Sequence, residues 1–173
     1  VRNQASKTWH HSNIKLEIHR KTIGIIGVGA IGQETAKIAK AFGMTVLGVR
    51  QSGKPTEFVD EMYTMEHLDA ILPRCDYVVT TLPLTKETHH LFGYEQFKQM
   101  KSSSFFINIG RGEIAVEKEL IQALREQQIA GAGLDDVDGR EHPLVGDLAV
   151  LDDLRVAGAL ELLEDHLVHP LAG

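Results

Sequence analysis

Short apolar runs alternate along this sequence with segments in which apolar residues recur every three or four positions. The runs are apolar throughout, as is typical of strands buried on both faces of a parallel sheet, and the periodic segments indicate helices. The pattern predicts strands at residues 22–26, 45–49, 77–82, 104–109 and 129–134. It predicts helices at residues 30–42, 65–72, 94–100 and 116–127, with Pro73 ending the second. Strands that alternate with helices predict an α/β fold, a doubly wound parallel sheet in three αβα layers.

A glycine-spaced turn joins the first predicted strand to the first predicted helix. Gly27, Gly29 and Gly32 have the G-x-G-x-x-G spacing. The apolar residues that follow at helical spacing are Ala36, Ile38, Ala39 and Phe42. In this context Gly27 permits a tight turn, Gly29 lets backbone approach a pyrophosphate, and Gly32 lets the helix pack closely on the strand. The helix start also offers free N–H groups to a diphosphate. We interpret the segment as a Rossmann-like dinucleotide turn, with a turn that binds nothing as the alternative.

Composition limits the class of protein. The 173 residues are 43% hydrophobic, which suits one globular domain over residues 1–173. The net charge of −6 and the absence of a basic run with aromatics argue against a nucleic-acid partner. A polar start and the lack of a long apolar run predict neither a signal peptide nor a membrane span. The single cysteine, Cys75, is expected to be a small semi-buried residue in a cytoplasmic protein. No histidine pair has metal-ligand spacing backed by a third ligand, so no metal is expected.

Further candidate residues follow the predicted strands, where open parallel sheets bind ligands. Arg111 stands between Gly110 and Gly112, so it can present a bidentate donor to a carboxylate. A surface arginine in a turn is the alternative. After the second strand come Arg50, Gln51 and Ser52, where NAD-binding units usually carry an acidic residue. A cation there accommodates the 2′-phosphate of NADP, so the sequence predicts NADP, with NAD as the second cofactor. Arg50 as a solvated turn residue is the alternative.

The chain resembles the D-isomer-specific 2-hydroxyacid dehydrogenases, particularly their glyoxylate/hydroxypyruvate reductase-like members. The motifs that carry the resemblance are Arg2-Asn3-Gln4 with Trp9, the turn at residues 27–32, the Thr81-Leu82-Pro83-Leu84-Thr85-Lys86-Glu87-Thr88 segment, Asn108-Ile109-Gly110-Arg111-Gly112 and residues 130–135. The resemblance implies an NAD(P)-dependent oxidoreductase that reduces small 2-oxo acids to D-2-hydroxy acids by hydride transfer. The cofactor contacts that it and the residue patterns imply are Gly27, Gly29, Ala30, Ile31, Gly32, Arg50, Gln51, Ser52, Leu82, Pro83, Thr88, Ile109, Gly110 and Asp135.

The resemblance also implies three catalytic residues. Arg111 takes the place of the arginine that binds the substrate carboxylate and carbonyl. Glu141 matches the family's catalytic glutamate only if one residue is inserted. His169 is the first choice for the acid/base histidine and His166 the second, because His169 and Pro170 stand in the reverse of the family's order. A solvated carboxylate at position 141 and an altered tail without a catalytic histidine are the alternatives.

The family's architecture implies that this chain is mostly the cofactor domain. Residues 1–20 or so would be the crossing helix or linker, and most of the substrate domain would be absent. Family members are typically homodimers, so a homodimer is expected, with a small 2-oxo or 2-hydroxy acid as the other partner. A non-catalytic NAD(P)-binding module, or a cofactor-sensing pseudoenzyme, is the competing hypothesis. The sequence leaves open whether the isolated chain is active.

Overall fold

A computed structural model describes residues 17–134, which form one six-stranded parallel sheet. The strands are β1 Thr22–Ile26, β2 Thr45–Val49, β3 Glu61–Tyr63, β4 Tyr77–Thr80, β5 Phe105–Asn108 and β6 Gly131–Leu134. Their order across the sheet is β3-β2-β1-β4-β5-β6. The predicted doubly wound Rossmann-like fold is confirmed. All five predicted strands are present, and the three later ones are shorter than predicted. The edge strand β3 was missed.

Four α-helices lie in the described part of the chain: α1 Ala30–Ala41, α2 Leu68–Ile71, α3 Tyr94–Gln99 and α4 Glu117–Arg125. The prediction of one helix at 65–72 ended by Pro73 was wrong. Here α2 is a single turn between two 3-10 turns, Met65–His67 and Leu72–Arg74, and Pro73 lies inside the second. Proline is tolerated in a first helical turn because the amide it lacks would have no partner there.

The helices cover the sheet in three layers. On one face α2, α3 and α4 pack over a core that includes Phe92, Phe97 and Phe106, which form an aromatic cluster. On the other face α1 packs over Ile23, Ile25 and Val46. The small side chains of Ala36 and Ala39 make that contact. Ile38 and Phe42, which belong to the same apolar pattern, are instead 56% and 55% exposed. The buried face of α1 is therefore narrower than its apolar pattern suggests.

Cys75 is fully buried, rather than semi-buried as expected. Its Sγ donates a hydrogen bond to the carbonyl of Ile71 at 3.3 Å and lies against Gly24 of β1, where a Cβ would come within 2.7 Å of the sulfur. Burial raises the pKa of the Cys75 thiol to about 12. The thiol therefore stays protonated at neutral pH and serves the packing of β1 against the segment before β4.

Charged side chains secure the outer strand β3. Arg74 Nη2 pairs with Glu61 Oε1 at 2.6 Å, and Arg74 Nη1 donates to the Tyr63 hydroxyl at 2.7 Å. That hydroxyl in turn donates to Glu61. The bonds from Arg74 and Tyr63 lower the pKa of Glu61 to about 2. At neutral pH these charges occupy the sheet edge, where such groups discourage pairing with another chain.

Asp76 joins the amino ends of β1 and β4 to the segment before β5. Its Oδ2 accepts a hydrogen bond from the Thr22 amide at 2.8 Å, and its Oδ1 pairs with Lys101 Nζ at 2.9 Å. Burial raises the pKa of Asp76, but the bonds from Thr22 and Lys101 outweigh burial and hold that pKa below its ordinary 3.8. The charged carboxylate therefore stabilises the fold.

We expect Asp76→Asn to lower the free energy of unfolding by about 1 kcal/mol at pH 7, because Asn keeps an acceptor for Thr22 but loses the charge facing Lys101. A carboxylate with a depressed folded-state pKa contributes stability above its unfolded pKa and loses it as pH falls through the folded pKa. The difference between wild type and variant should therefore shrink below about pH 4. Urea unfolding at pH 7, 5 and 3 measures it; an undiminished difference at pH 3 would contradict this account.

Candidate cofactor and substrate site

The turn after β1 is held by backbone contacts from two sides. Gly27 has a φ of +107°, a conformation that favours glycine. The amides of Gly27 and Val28 donate to the Val49 carbonyl at the end of β2, at 2.9 and 3.1 Å. The Gly27 carbonyl accepts from the Thr81 hydroxyl, beyond β4, at 2.5 Å. The ends of β1, β2 and β4 are thereby joined at the carboxyl edge of the sheet.

Gly32 and Gly29 are required for different reasons. A Cβ on Gly32 would lie 2.5 Å from the Gly27 carbonyl oxygen, so a side chain would force α1 away from β1. A Cβ on Gly29 would have no heavy atom of the described residues within 4 Å. Protein packing therefore explains Gly32, whereas Gly29 leaves space above the turn. The packing role predicted for Gly32 is thus present.

The start of α1 has the features of an anion site. The amides of Ala30, Ile31 and Gly32 open the helix and so have no acceptor within it. Gly29, at the N-cap, supplies no capping side chain, and the first turn contains no acidic residue. Ile31 is 60% exposed beside these amides. Free amides, the positive end of the helix dipole and the open space at Gly29 fit the diphosphate of a dinucleotide.

Arg50, Gln51 and Ser52 form a turn directly after β2. The Arg50 amide donates to the Tyr63 carbonyl at 3.0 Å, and the Arg50 carbonyl accepts from the Gly53 amide at 3.1 Å. The Arg50 side chain is half-buried and forms no ion pair with residues 17–134. Gln51 and Ser52 are exposed. A fixed backbone thus carries a cation without a carboxylate partner in the described chain, at the end of the second strand.

The segment after β4 contacts the other turns through Leu82. A Cβ on Gly27 would lie 3.0 Å from Leu82 Cδ2, and a Cβ on Gly110 would lie 2.6 Å from the Leu82 carbonyl oxygen. Leu82 thus lies between the turns after β1 and β5, and the exposed Pro83 follows it.

Thr88 uses its hydroxyl within its own loop. It is 8% exposed, donates to the Pro83 carbonyl at 2.7 Å and accepts from the Thr85 amide at 2.8 Å. In the structure Thr88 thus fixes the shape of the segment that begins with Pro83. Its predicted contact with the cofactor stays a prediction.

The turn after β5 places Ile109, Gly110 and Arg111 at the same edge of the sheet. Ile109 and Gly110 are half-buried, and the Ile109 amide donates to the Thr80 carbonyl of β4 at 3.1 Å. Arg111 is exposed, and its Nη1 donates to the Gly110 carbonyl at 3.3 Å. No carboxylate among residues 17–134 pairs with it, so its guanidinium is available to a ligand carboxylate.

The predicted cofactor residues before position 135 all lie at or beyond the carboxyl ends of β1, β2, β4 and β5. Asp135, Glu141, His166 and His169 lie outside the described residues, as do Arg2, Asn3, Gln4 and Trp9. Thr81 and Asn108 belong to motifs that the sequence analysis names, but it did not predict the hydrogen bonds by which their side chains hold the turns. The available signal was a polar residue at the end of an apolar strand.

Two negative findings apply to residues 17–134 alone. No group of three or more His, Cys, Asp or Glu side chains there could hold a metal ion. None of the helices in that part of the chain is both long and apolar enough to cross a membrane.

The two glycines give a matched pair of variants. Gly32→Ala should lower Tm by several degrees, since its Cβ would clash with the Gly27 carbonyl. Gly29→Ala should change Tm little, because its Cβ meets no described atom, yet it should weaken NADPH binding at least tenfold by filling space over the free amides. Thermal unfolding and fluorescence titration with NADPH measure both effects. Full NADPH affinity in a folded Gly29→Ala variant would contradict the assigned role of this turn.

Comparisons with known proteins point to one family. The sequence model of the D-isomer specific 2-hydroxyacid dehydrogenase, NAD binding domain, matches residues 1–156. Glyoxylate/hydroxypyruvate reductase B of Escherichia fergusonii is 43% identical over 141 residues, which are 80% of this chain and 43% of that protein. A D-isomer specific 2-hydroxyacid dehydrogenase family protein from Aeromonas salmonicida has a TM-score of 0.77 at 36% identity, with 84% of this chain and 48% of that chain covered.

A probable 2-hydroxyacid dehydrogenase from Rhizobium etli, solved with NADP, HEPES and L(+)-tartaric acid, has a TM-score of 0.74 at 31% identity. The match covers 83% of this chain and 48% of that one. The chain thus spans less than half the length of these relatives. Its glycine turn, the start of α1, Arg50 and Arg111 lie within the residues that the family model matches. The chain belongs to the D-isomer specific 2-hydroxyacid dehydrogenases, and residues 1–156 match their NAD-binding domain.

Proposed function

We propose that this chain is the cofactor domain of a reductase that converts small 2-oxo acids of the glyoxylate and hydroxypyruvate type to D-2-hydroxy acids. One observation carries the proposal: an uncapped helix start and Arg111, which has no carboxylate partner among residues 17–134, lie at the same edge of one sheet. The first can hold a diphosphate and the second a substrate carboxylate. The name of the Escherichia fergusonii relative supports this substrate class.

The proposed reaction assigns one role each to the cofactor, an arginine, a histidine and a glutamate. A bound nicotinamide cofactor would supply the hydride for C2 of the 2-oxo acid. Arg111 binds the substrate carboxylate and carbonyl, which fixes C2 and polarises its oxygen. His169, with His166 as second choice, donates the proton to the C2 oxygen. Glu141 stabilises the histidinium and so raises the pKa of that histidine. The roles of positions 141, 166 and 169 rest on the family pattern, since these residues lie outside the described part.

The preferred cofactor in this proposal is NADP, with NAD as the alternative. Arg50 has no ion-pair partner among residues 17–134, and no acidic residue occurs between positions 49 and 56. A guanidinium there favours a 2′-phosphate, whereas NAD sites usually offer a carboxylate to the ribose hydroxyls. Similar structures were solved with NADP and with NAD, so the choice rests on Arg50. Gln51 and Ser52 are exposed beside Arg50 and are proposed to assist it.

The assembly and cellular place of the protein are part of the same proposal. We place it in the cytoplasm, because its single cysteine fits a reducing compartment. A homodimer is proposed as its quaternary state. The exposed Ile31 and Ile38 on α1, with Phe42 directly after it, supply apolar surface of the kind that association buries.

A non-catalytic NAD(P)-binding module is the second candidate function. The departures from the family pattern around Glu141 and His169 favour it, because the cofactor turn would be needed in either case. Oxidation of NADPH by the wild-type chain on addition of glyoxylate or hydroxypyruvate would contradict this candidate.

Replacement of Arg50 tests the cofactor choice. Arg50→Asp removes the cation and offers a carboxylate, so the ratio of NADPH to NADH affinity should fall at least tenfold. Fluorescence titration with each cofactor measures the ratio. Lys54→Asp is the matched control, since it makes the same charge change four residues along the same loop. An unchanged ratio in Arg50→Asp would remove Arg50 from the cofactor site.

Replacement of Arg111 tests the proposed reaction. Arg111→Lys keeps the charge but loses the planar fork, so kcat/KM for glyoxylate should fall about 10- to 100-fold while the NADPH dissociation constant stays within twofold. Glyoxylate-dependent oxidation of NADPH, followed at 340 nm, measures the rate. If Arg111→Lys matches an active wild type, Arg111 is not the group that binds the substrate carboxylate.

A further inference from the structure

The direction in which the Arg111 guanidinium points depends on the conformation of the backbone at residues 110–112. Its side chain is exposed, and the bond that it makes within the described chain joins Nη1 to the carbonyl of the preceding Gly110 at 3.3 Å. No neighbouring side chain of residues 17–134 holds the guanidinium by a hydrogen bond or an ion pair. Among the described residues, the hydrogen bonds that can restrain its direction are therefore those to the backbone of residues 110–112.

The Asn108 side chain supplies such a restraint. Its Oδ1 accepts a hydrogen bond from the Gly110 amide at 3.0 Å, and its Nδ2 donates to the Arg111 carbonyl at 2.8 Å. The partners fix the orientation of the amide group, because the Gly110 N–H can only donate and the Arg111 carbonyl can only accept. One side chain thus bonds the backbone on both sides of the Gly110–Arg111 link.

Asn108 itself has little freedom to move. It ends β5, is 3% exposed and pairs in register with Thr80 of β4 and Leu134 of β6. A buried amide that makes two short bonds is costly to displace, because both partners would lose their bonds. The rigidity of the sheet is therefore passed to the turn through this side chain.

Other contacts further restrict movement of the turn at Gly110 and Arg111. The Arg111 carbonyl also accepts from the Ile114 amide at 3.1 Å, so two donors reach this one oxygen. At Gly110 a Cβ would lie 2.6 Å from the Leu82 carbonyl oxygen and 2.9 Å from Ile114 Cδ1. The turn therefore has no room to shift toward the segment after β4.

We propose that Asn108 is a positioning residue, which holds Arg111 in the direction needed to receive a substrate carboxylate. This inference rests on the proposed function of Arg111 and extends it to a buried group that does not touch the substrate. Without the Nδ2 bond the Arg111 carbonyl keeps, among residues 17–134, only the hydrogen bond from the Ile114 amide, and the side chain samples more directions. Substrate affinity then falls, whereas the turn after β1 and its affinity for NADPH are unaffected.

Asn108→Asp is the sharpest variant, since it has the same shape and keeps the acceptor for Gly110. It places a carboxylate oxygen against the Arg111 carbonyl in place of the donor. Asn108→Ser removes both the Nδ2 donor and the Oδ1 acceptor without adding a charge, and it covers the case in which Asn108→Asp fails to fold. Ser104→Ala is the matched control. Ser104 is also fully buried, and its hydroxyl donates to the Lys101 carbonyl at 2.7 Å at the opposite end of β5.

Two measurements on the full 173-residue chain test the proposal. The first is the backbone ¹⁵N order parameter of Arg111, which should fall from about 0.85 to below about 0.6 in the Asn108 variants and stay high in Ser104→Ala. The second is the affinity of the NADPH-loaded chain for oxamate, an unreactive analogue of a 2-oxo acid. It should fall at least tenfold in the Asn108 variants, with NADPH affinity within twofold of wild type in Asn108→Asp, which keeps the bond to Gly110.

An equally rigid Arg111 backbone in both Asn108 variants, or oxamate affinity equal to wild type, would overturn the proposal. An equal loss of oxamate affinity in Ser104→Ala would also overturn it, since the effect would then follow from general destabilisation. If the wild-type chain binds NADPH but no oxamate, the proposed function of Arg111 fails. In that case the order parameters separately show whether Asn108 restrains the turn.

Discussion

The close approach of Gly32 to the Gly27 carbonyl determines where α1 lies, and the rest of the site depends on that position. With hydrogen at the place of a side chain, the helix start lies against the end of β1. The first amides of α1 then open at the carboxyl edge of the sheet, with no acid or cap to neutralise them. The favourable position of these amides for a diphosphate thus depends on the absence of a side chain at Gly32.

The turns that follow neighbouring strands are held to one another as well as to the sheet. The Thr81 hydroxyl reaches the Gly27 carbonyl, and Leu82 lies between Gly27 and Gly110. Asn108 then extends the restraint to Arg111. The proposed cofactor and substrate groups are therefore fixed relative to each other by short contacts across β1, β4 and β5. Hydride transfer depends on such fixed distances, because small displacements of the reacting groups slow it strongly.

The strongly apolar strands and the glycine turn could be predicted from sequence because each has a local cause. Strand β3 could not be predicted, because its three residues, Glu61 to Tyr63, contain no apolar run. They form a strand only by pairing with Leu47 to Val49 of β2. Pro73 was expected to end a helix, yet it occupies a 3-10 turn that tolerates it. The exposure of Ile38 and Phe42 depends on how closely α1 packs, which helical periodicity does not reveal.

The site, like the fold, has features that could be predicted from sequence and features that could not. From residue type and position relative to the strands, one could predict that Gly27, Arg50 and Arg111 lie at one edge of the sheet. The hydroxyl of Thr88 is bonded to Pro83 and Thr85, and the amide of Asn108 to Gly110 and Arg111, and such partners follow from loop conformation rather than from spacing. The family pattern is the only guide to Glu141 and His169, which lie outside the described residues.

The most direct test of the central claim is an NMR titration of the ¹⁵N-labelled chain with NADPH. The account predicts that the largest amide shifts occur at Ala30, Ile31 and Gly32, with further shifts at Arg50 to Ser52, because the diphosphate binds the start of α1. NADPH binding that shifts amides elsewhere and leaves residues 30–32 unchanged would contradict it, and so would the absence of binding at millimolar NADPH.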